Sequence, residues 1–189
     1  MSNYSVLENV VTPIINVTIN GNKFAFDGGL EFMDADDELK EFASHLRNNA
    51  SHLIDVDPDR IKYFYSTRPY KDGGKYVLGT LQVRSDEERL INEDYDFIAI
   101  VNYKLWKDLD ISNKVIQFDK ILCKIKIDAN ENLKIRSVDS KEYITNMYEY
   151  GPTVVLDSSL IVSRAMENII DEEKTEIKAS KPQKQGKGF

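Results

Sequence analysis

Apolar residues recur at helical spacing along the segment "DADDELKEFASHLRNNASHLI", residues 34–54. The apolar positions that share one helical face are Leu39, Phe42, Ala43, Leu46, Ala50 and Leu53. Asp34 or Asp36 can cap this helix, because a carboxylate accepts hydrogen bonds from the first backbone N–H groups. The pattern therefore predicts an amphipathic helix that packs against a sheet.

Alternating or continuous apolar runs predict the β-strands. These runs are two short segments within residues 5–26, then Arg60–Ser66, Lys75–Arg84, Asp94–Tyr103, and the pair "CKIKID" and "LKIRSVD" around a turn at residues 128–132. Asn20-Gly21 separates the first two runs and is typical of a hairpin. The centre of Asp94–Tyr103 is continuously apolar, which indicates a strand buried on both faces.

Three further helices are predicted from apolar periodicity and from end signals. They cover residues 112–123, 140–150 and 157–171. The capping candidates are Asp110 or Ser112 for the first of these and Asp157 or Ser158 for the third. Gly151-Pro152 ends the second, because glycine closes a helix C-terminus and proline does not continue it.

These elements predict an α+β fold, with a mixed or antiparallel sheet of about five strands and helices packed on it. We divide the chain into N-terminal strands with an acidic helix, residues 1–58, packed on a main domain, residues 59–171. Apolar periodicity ends near Glu172. The lysines beyond that point predict a disordered basic tail over residues 172–189.

Composition indicates an ordinary globular protein. The 189 residues are 41% hydrophobic and 30% charged, with a formal net charge of −7. Excess negative charge argues against direct binding to nucleic-acid phosphates. No apolar run reaches the roughly 20 residues of a membrane span, and the N-terminus lacks a signal-peptide pattern. With Cys123 as its one cysteine, the chain is expected in the cytoplasm, with no membrane contact and no disulfide.

Negative charge is concentrated between Asp27 and Arg60, where ten acids face three bases. One interpretation is a solvated helix face whose acids favour the positive end of the helix dipole. The other is an acidic surface for a basic partner. The candidate partner-binding residues are Asp34, Asp36, Asp37, Glu38 and Glu41.

The two histidines of the chain, His45 and His52, lie on the acidic helix. Seven residues of helix separate them by roughly 10 Å along the axis. One metal ion with ligands about 2 Å away does not reach both. We interpret them as ordinary surface or boundary histidines.

The middle of the chain, from about residue 60 to 150, resembles the putative phage metallopeptidase family, a zincin-like group. The matching segments, in order, are "KYVLGTLQV", "DYDFIAIVN", "LWKDLD" leading into a helix, "KIKIDANENLKIRSVD" and "KEYITNMYEYG". Their order and spacing together carry the match. The resemblance implies a zincin-like arrangement and an origin in a phage or mobile element.

The family's catalytic helix carries His-Glu-Leu-x-His, in which two histidines on one helix face grip a zinc ion and the glutamate acts as base. Here "DKILCK" places Lys120, Ile121 and Lys124 at those positions. A protonated lysine has no lone pair for zinc, and isoleucine is no base. Downstream, where the family tends to carry a His-Asp pair, the chain has Val138-Asp139. We therefore expect no zinc, no other cofactor and no family-type hydrolysis, and lean away from an enzyme.

The lysines at the motif positions leave several interpretations open. Lys120 and Lys124 either fill an abandoned cleft, with Asp119 and Asp139 as candidate partners, or form an anion pocket together with Asp139. A nucleophilic or basic lysine needs burial that lowers its pKa. For Cys123, a small buried hydrophobic side chain is the preferred interpretation over a nucleophile, because the helix offers it no base.

We expect a catalytically inactive, metallopeptidase-like protein that binds, and inhibits, a host defence, transcription or replication protein. The alternatives are binding of a small anionic ligand in the degenerate cleft and acidic mimicry of a nucleic acid. The sequence names neither the partner nor the oligomeric state.

Overall fold

The computed structural model describes most of the chain between Phe32 and Ala179. The described residues are 32–85, 87–88, 95–127, 133–135 and 146–179. The hairpin predicted within residues 5–26, the turn at 128–132 and Asp139 lie outside them. The helix predicted over 140–150 is described only at 146–150, where it is helical.

The main sheet has four strands and mixed directions. Its strands are β1 (Phe32–Asp34), β2 (Ile61–Ser66), β5 (Gly79–Val83) and β6 (Phe97–Asn102), in the order β1-β2-β6-β5. The central strands β2 and β6 run parallel, and each edge strand runs antiparallel to its neighbour. The predicted α+β class is confirmed, with four strands in this sheet where about five were predicted.

Two hairpins complete the described strands. One joins β3 (Tyr70–Asp72) to β4 (Lys75–Val77), and the other joins β7 (Ile125–Ile127) to β8 (Leu133–Ile135). Gly73 and Gly74 form the first turn with φ of 54° and 81°, values that glycine adopts without steric cost. The second hairpin was predicted, whereas β3 was not.

The strand predicted over Lys75–Arg84 is wrong as a single element. The chain breaks at Leu78, so that β4 belongs to a hairpin and β5 to the main sheet. Leu78 turns its side chain into the core, and its carbonyl accepts a hydrogen bond of 2.8 Å from the Asn102 N–H. Gly79 then lies directly on β6, where an added Cβ would be 2.2 Å from the Ile100 carbonyl oxygen.

The longer α-helices of the described residues cover the sheet and its ends. They are α1 (Glu41–Asn49), α2 (Tyr103–Asp108), α3 (Ile111–Leu122) and α4 (Pro152–Ala179). A π-helical turn, Asp36–Lys40, leads into α1, and a 3-10 turn, Ser51–Leu53, follows it. The predicted cap of α3 is confirmed, because Asp110 Oδ1 accepts from the Asn113 N–H at 2.9 Å.

The predicted cap of the acidic helix is confirmed for Asp34, which binds the first backbone N–H of the helical segment without occupying the N-cap position. The N-cap position belongs to Ala35, which provides no side-chain hydrogen bond. Asp34 Oδ1 accepts from the Asp36 N–H at 3.0 Å, and Asp36 Oδ1 turns to β2, where it accepts from the Tyr63 N–H at 2.8 Å. The two carboxylates therefore join the helix start to the sheet.

The last helix is longer at both ends than the sequence predicts. Gly151, with φ of 90°, ends the preceding helical residues, and Pro152 starts α4 at once because its fixed φ suits a first helical position. The helix continues to Ala179, so residues 172–179 of the predicted disordered tail are helical. A Lys104–Glu173 ion pair holds this extension to α2. Residues 180–189 lie outside the described part.

An aromatic cluster joins the helices above the sheet. Phe42 of α1, Trp106 of α2 and Phe118 of α3 meet with ring centroids 4.9–5.6 Å apart. All three are buried, and Tyr63 of β2 packs beneath Phe118 at 6.3 Å. Such contacts add about 0.5–1.5 kcal/mol each beyond burial. Helix α1 thus shares one core with α2, α3 and the sheet.

None of the described helices combines the length and apolarity needed to cross a membrane.

Candidate functional site

A cleft opens between the C-terminal half of α3, the β3–β4 hairpin and the start of α4. We call it the lysine cleft. Its lining residues are Asp72, Lys75, Tyr76, Val77, Leu78, Gly79, Gln117, Lys120, Ile121, Cys123, Lys124, Asn146 and Ser159. All three motif positions of the resemblance, Lys120, Ile121 and Lys124, are therefore brought together at one cleft.

Lys120 reaches from α3 to α4 across the cleft. Its Nζ donates to Ser159 Oγ and lies 3.5 Å from the Val155 carbonyl oxygen. Ser159 in turn donates its own proton to Val155 O at 2.9 Å, which leaves its oxygen facing the amine as an acceptor. Burial lowers the pKa of Lys120 to about 8, since desolvation disfavours the ammonium and Lys124 adds a like charge.

Lys124 lies in the turn two residues beyond the end of α3 and pairs with the hairpin. Its Nζ is 3.2 Å from Asp72 Oδ2, and its side chain is largely buried. Lys75, on the same hairpin, is exposed at the rim of the cleft. Asp119 was a predicted partner of these lysines, but its carboxylate is hydrogen-bonded elsewhere.

Cys123 and Asn146 form the floor beside Lys120. Cys123 is half-buried, packs against the core and lines the cleft, so the prediction of a small buried side chain is only partly right. Its Sγ lies 3.5 Å from Asn146 Oδ1. Asn146 is fully buried, and its Nδ2 has no hydrogen-bond partner among the described residues. A buried amide donor beside a cleft is available to a ligand oxygen.

A separate set of side chains surrounds the carboxylate of Asp119, and we call it the Asp119 cluster: Asp119, His52, Tyr150 and Glu149. Asp119 is fully buried, and its two oxygens lie 2.8 and 2.9 Å from His52 Nε2. The Tyr150 hydroxyl donates to Asp119 Oδ2. Burial, and then the Asp119 charge, raise the pKa of Tyr150, so this phenol stays a donor.

His52 is not the ordinary surface or boundary residue that the sequence predicts. Its side chain is only 10% exposed, and its Nδ1 lies 3.8 Å from Glu149 Oε1. Burial alone would lower the pKa of His52, but the hydrogen bond to Asp119 and the charges of Asp119 and Glu149 outweigh it and raise the pKa. His45, by contrast, is a half-exposed neighbour of Glu41, as predicted.

The candidate partner-binding acids are mostly engaged inside the molecule. Asp34 and Asp36 both pair with Lys62 of β2, and Glu38 Oε1 accepts from the Trp106 indole N–H at 2.8 Å. The Oε1 atom of Glu41 lies 4.0 Å from Nε2 of His45. The side chain of Asp37 is exposed. The acids at the start of this helix therefore serve the fold as well as the surface.

The residues on the motif face do not fit the zinc ion that the resemblance implies. Lys120, with its pKa of about 8, is mostly an ammonium at neutral pH and then has no lone pair to give. Lys124 is paired with Asp72, and Ile121 is apolar. Among the described residues, no three His, Cys, Asp or Glu side chains lie close enough to hold a metal ion.

Sequence reasoning missed His52, Tyr150, Asn146 and Ser159. His52 and Asp119 are 67 positions apart, so no local pattern joins them. Tyr150 has a weak signal, because an aromatic residue directly before Gly151-Pro152 is positioned by the helix end. The sequence did indicate Lys120 and Lys124, which both line the cleft. The third candidate, Asp139, lies outside the described residues.

Residues 30–171 match the protein family described as putative phage metallopeptidase. No curated protein and no solved structure gives a significant match to the chain. The match covers most of the sequence and includes the main sheet, α1 to α3 and the lysine cleft. An α+β fold with a mixed sheet is consistent with a zincin-like family. The chain therefore belongs to the putative phage metallopeptidase family.

Proposed function

We propose that this protein is a family member without zinc hydrolysis, whose lysine cleft binds a small anionic ligand. The observation that carries the proposal is the charge of the cleft. Lys75, Lys120 and Lys124 line it, and Asp72 is the one carboxylate among its described lining residues. A cleft lined by apolar surface with a few polar groups is typical of small-molecule sites.

The lysines replace, at the same positions, the residues that the family uses to bind a cation. Replacing imidazoles by ammonium groups reverses the preference of the helix face from a cation to an anion. The unpartnered Nδ2 of Asn146 adds a neutral donor to the same cleft. An anion in contact with Lys120 would raise the pKa of that amine, so binding should tighten as pH falls from 9 to 7.

The test is ligand-dependent thermal stabilisation by inorganic phosphate, pyrophosphate and citrate at constant ionic strength. A ligand that binds the folded state alone raises the free energy of unfolding as its concentration exceeds the Kd. Wild type should be stabilised, and the double variant Lys120→Gln/Lys124→Gln should lose most of that effect. The control is Lys126→Gln, since Lys126 is exposed on β7. Equal stabilisation of all three proteins would reveal a general salt effect and refute the cleft as the binding site.

The second candidate function is binding, and inhibition, of a host defence, transcription or replication protein. The observation in its favour is an apolar surface on α4, where Leu156, Leu160 and Ile161 are 45–51% exposed. The exposed Asp37 and Glu41 supply a smaller acidic surface. A phage origin and a location in the host cytoplasm belong to this proposal.

This candidate is tested by capture of partners from host lysate with wild type, Leu160→Lys and Asp37→Asn. Loss of one stoichiometric partner in Leu160→Lys alone would assign the surface to α4. Loss in Asp37→Asn alone would assign it to the acidic helix. Acidic mimicry of a nucleic acid predicts that DNA competes for the same partner. It is disfavoured because Asp34, Asp36 and Glu38 have partners within the fold.

A further inference from the structure

We propose that Lys120 is the reactive amine of the cleft and forms a reversible imine with an aldehyde or ketone that also carries an anionic group. The inference rests on the proposed function, because the same lysine cleft would hold the anion. It extends that function from charge recognition to a covalent step and names the ligand class.

The position of Lys120 carries the first part of the argument. Its Nζ is fixed between α3 and α4 by Ser159 Oγ and the Val155 carbonyl. Ser159 is itself fixed as an acceptor toward the amine, because its proton goes to Val155 O. When the Lys120 ammonium loses a proton, the two acceptors hold the N–H groups that remain. The lone pair of the neutral amine therefore keeps one direction.

The surroundings of Lys120 carry the second part. Val77, Leu78 and Ile121 contribute apolar surface to the cleft, and Lys124, in the turn after α3, adds a second cation to its lining. A lysine that is desolvated, or placed beside another cation, loses its proton more easily and becomes a nucleophile. The lowered pKa of Lys120, about 8, agrees with this arrangement.

The other polar groups of the cleft have matching roles. Lys124, held by Asp72, and Lys75 at the rim are placed to receive the anionic end of a ligand. The Asn146 amide nitrogen, which has no hydrogen-bond partner in the described part of the chain, can donate to the carbonyl oxygen. Cys123 lies beside Lys120 and Asn146, with its Sγ 3.6 Å from the Lys120 carbonyl oxygen. The covalent step does not require it.

The covalent step is balanced without an oxidant or a metal. The neutral Lys120 amine attacks the carbonyl carbon, a C–N bond forms, and the carbonyl π pair moves to oxygen. A proton passes from nitrogen to that oxygen and gives a carbinolamine. Loss of water then gives the imine, and water reverses the sequence.

The experiment uses pyridoxal 5′-phosphate, an aldehyde with a phosphate group, at less than one equivalent and pH 8, with cyanoborohydride to reduce the imine. Peptide mapping by mass spectrometry then locates the label, and the other seventeen lysines of the chain serve as internal references. At pH 8 about half of an amine with a pKa of 8 is neutral, against well under about 1% of an ordinary lysine. Lys120 should therefore carry at least about ten times the label of the exposed Lys174.

The pH dependence and a matched variant sharpen the result. Between pH 8 and pH 6 the neutral fraction of Lys120 falls from about one half to about one hundredth, and labelling should fall accordingly. Lys120→Arg keeps the positive charge and forms no such imine, so it should lose the selective label. Binding of pyridoxine 5′-phosphate, which has an alcohol in place of the aldehyde, to wild type measures anion recognition separately, by calorimetry.

Labelling of Lys120 no greater than that of Lys174 would overturn the imine. If pyridoxine 5′-phosphate nevertheless binds wild type and not Lys120→Gln/Lys124→Gln, the anion site stands and only the covalent step is lost. If pyridoxine 5′-phosphate, inorganic phosphate, pyrophosphate and citrate all fail to bind wild type, and Lys120 is not selectively labelled, both proposals fall together.

Discussion

Asp119 and Lys120 are consecutive residues of α3, yet they belong to opposite kinds of environment. The Asp119 cluster is closed: the carboxylate is fully buried and receives hydrogen bonds from His52 and Tyr150. The lysine cleft is open, and Lys120 lies beside a second lysine with its pKa lowered by burial. A buried charge becomes costly when its partner is removed, whereas a partly buried ammonium beside a like charge is unfavourable as it stands. Two adjacent positions of α3 therefore belong to a structural site and to a candidate functional one.

The largest expected effect is the loss of the imidazole in the Asp119 cluster. His52→Ala removes one partner of a buried carboxylate, and removing one side of such a pair costs about 3–5 kcal/mol. Chemical denaturation should show this drop in the free energy of unfolding. The matched control is His45→Ala, whose side chain is 33% exposed, with an expected change within about 0.5 kcal/mol. Equal effects of the two variants would contradict a structural role specific to His52.

A smaller effect of opposite sign is expected in the lysine cleft. Lys120→Met keeps the aliphatic length and removes the desolvated ammonium, so it should stabilise the protein at pH 7 by about 1–2 kcal/mol. The control is Lys174→Met, because Lys174 is 63% exposed and its change should lie within about 0.5 kcal/mol. Destabilisation of Lys120→Met beyond 1 kcal/mol would mean that the amine contributes to the fold rather than to a site.

The two regions should also differ in how their stability depends on pH. The folded pKa of His52 is raised above its usual 6.5, so its contribution is complete below that value and is lost as pH rises through the folded pKa. The slope is at most about 1.4 kcal/mol per pH unit. The folded pKa of Lys120 is lowered from 10.5 to about 8, so stability should rise between those pH values.

Unfolding midpoints in urea from pH 5.5 to 10.5 measure both trends. The loss of stability above pH 6.5 should be absent from His52→Ala, and the gain above pH 8 should be absent from Lys120→Met. A wild-type profile without either trend would show that neither group changes its pKa on folding.

The smallest expected effect concerns the ion pair at the cleft wall. Lys124 and Asp72 are 18% and 34% exposed, and pairs of this kind contribute about 0.2–1 kcal/mol. A double-mutant cycle with Lys124→Gln and Asp72→Asn should give a coupling energy in that range, smaller in high salt. A coupling energy of several kcal/mol would mean that this pair, like the Asp119 cluster, has a mainly structural role.

The periodic elements of the fold were predictable and the breaks were not. The apolar stripes of α1 and α3 and the continuous run of β6 produced those elements because each buries a face that its own sequence defines. The short strand β3 and the bend at Leu78 depend on where β6 passes, which no local pattern encodes. Likewise, the early start of α4 follows from Gly151-Pro152 acting as the end of one helix and the start of the next.

For the site, sequence indicates residues on one helix face but not their surroundings. Lys120 and Lys124 follow from the motif spacing, because positions four apart share a face. The lowered pKa of Lys120 comes first from burial, which local sequence does not show. The contacts of Lys120 with Val155 and Ser159 of α4 likewise come from a distant segment. The role of His52 depends in the same way on its contact with Asp119.

Gly79 separates two parts of the molecule that are held in place by different contacts. On one side β5 is held in register with β6, at a spacing that leaves no room for a Cβ at Gly79. On the other side the β3–β4 hairpin contributes the wall of the lysine cleft and contacts α4. Because the hairpin has its own turn and pairing, its side chains are free to vary without shifting the sheet. Substitutions on the hairpin should therefore alter the lining of the cleft while leaving the pairing of β5 with β6 in place.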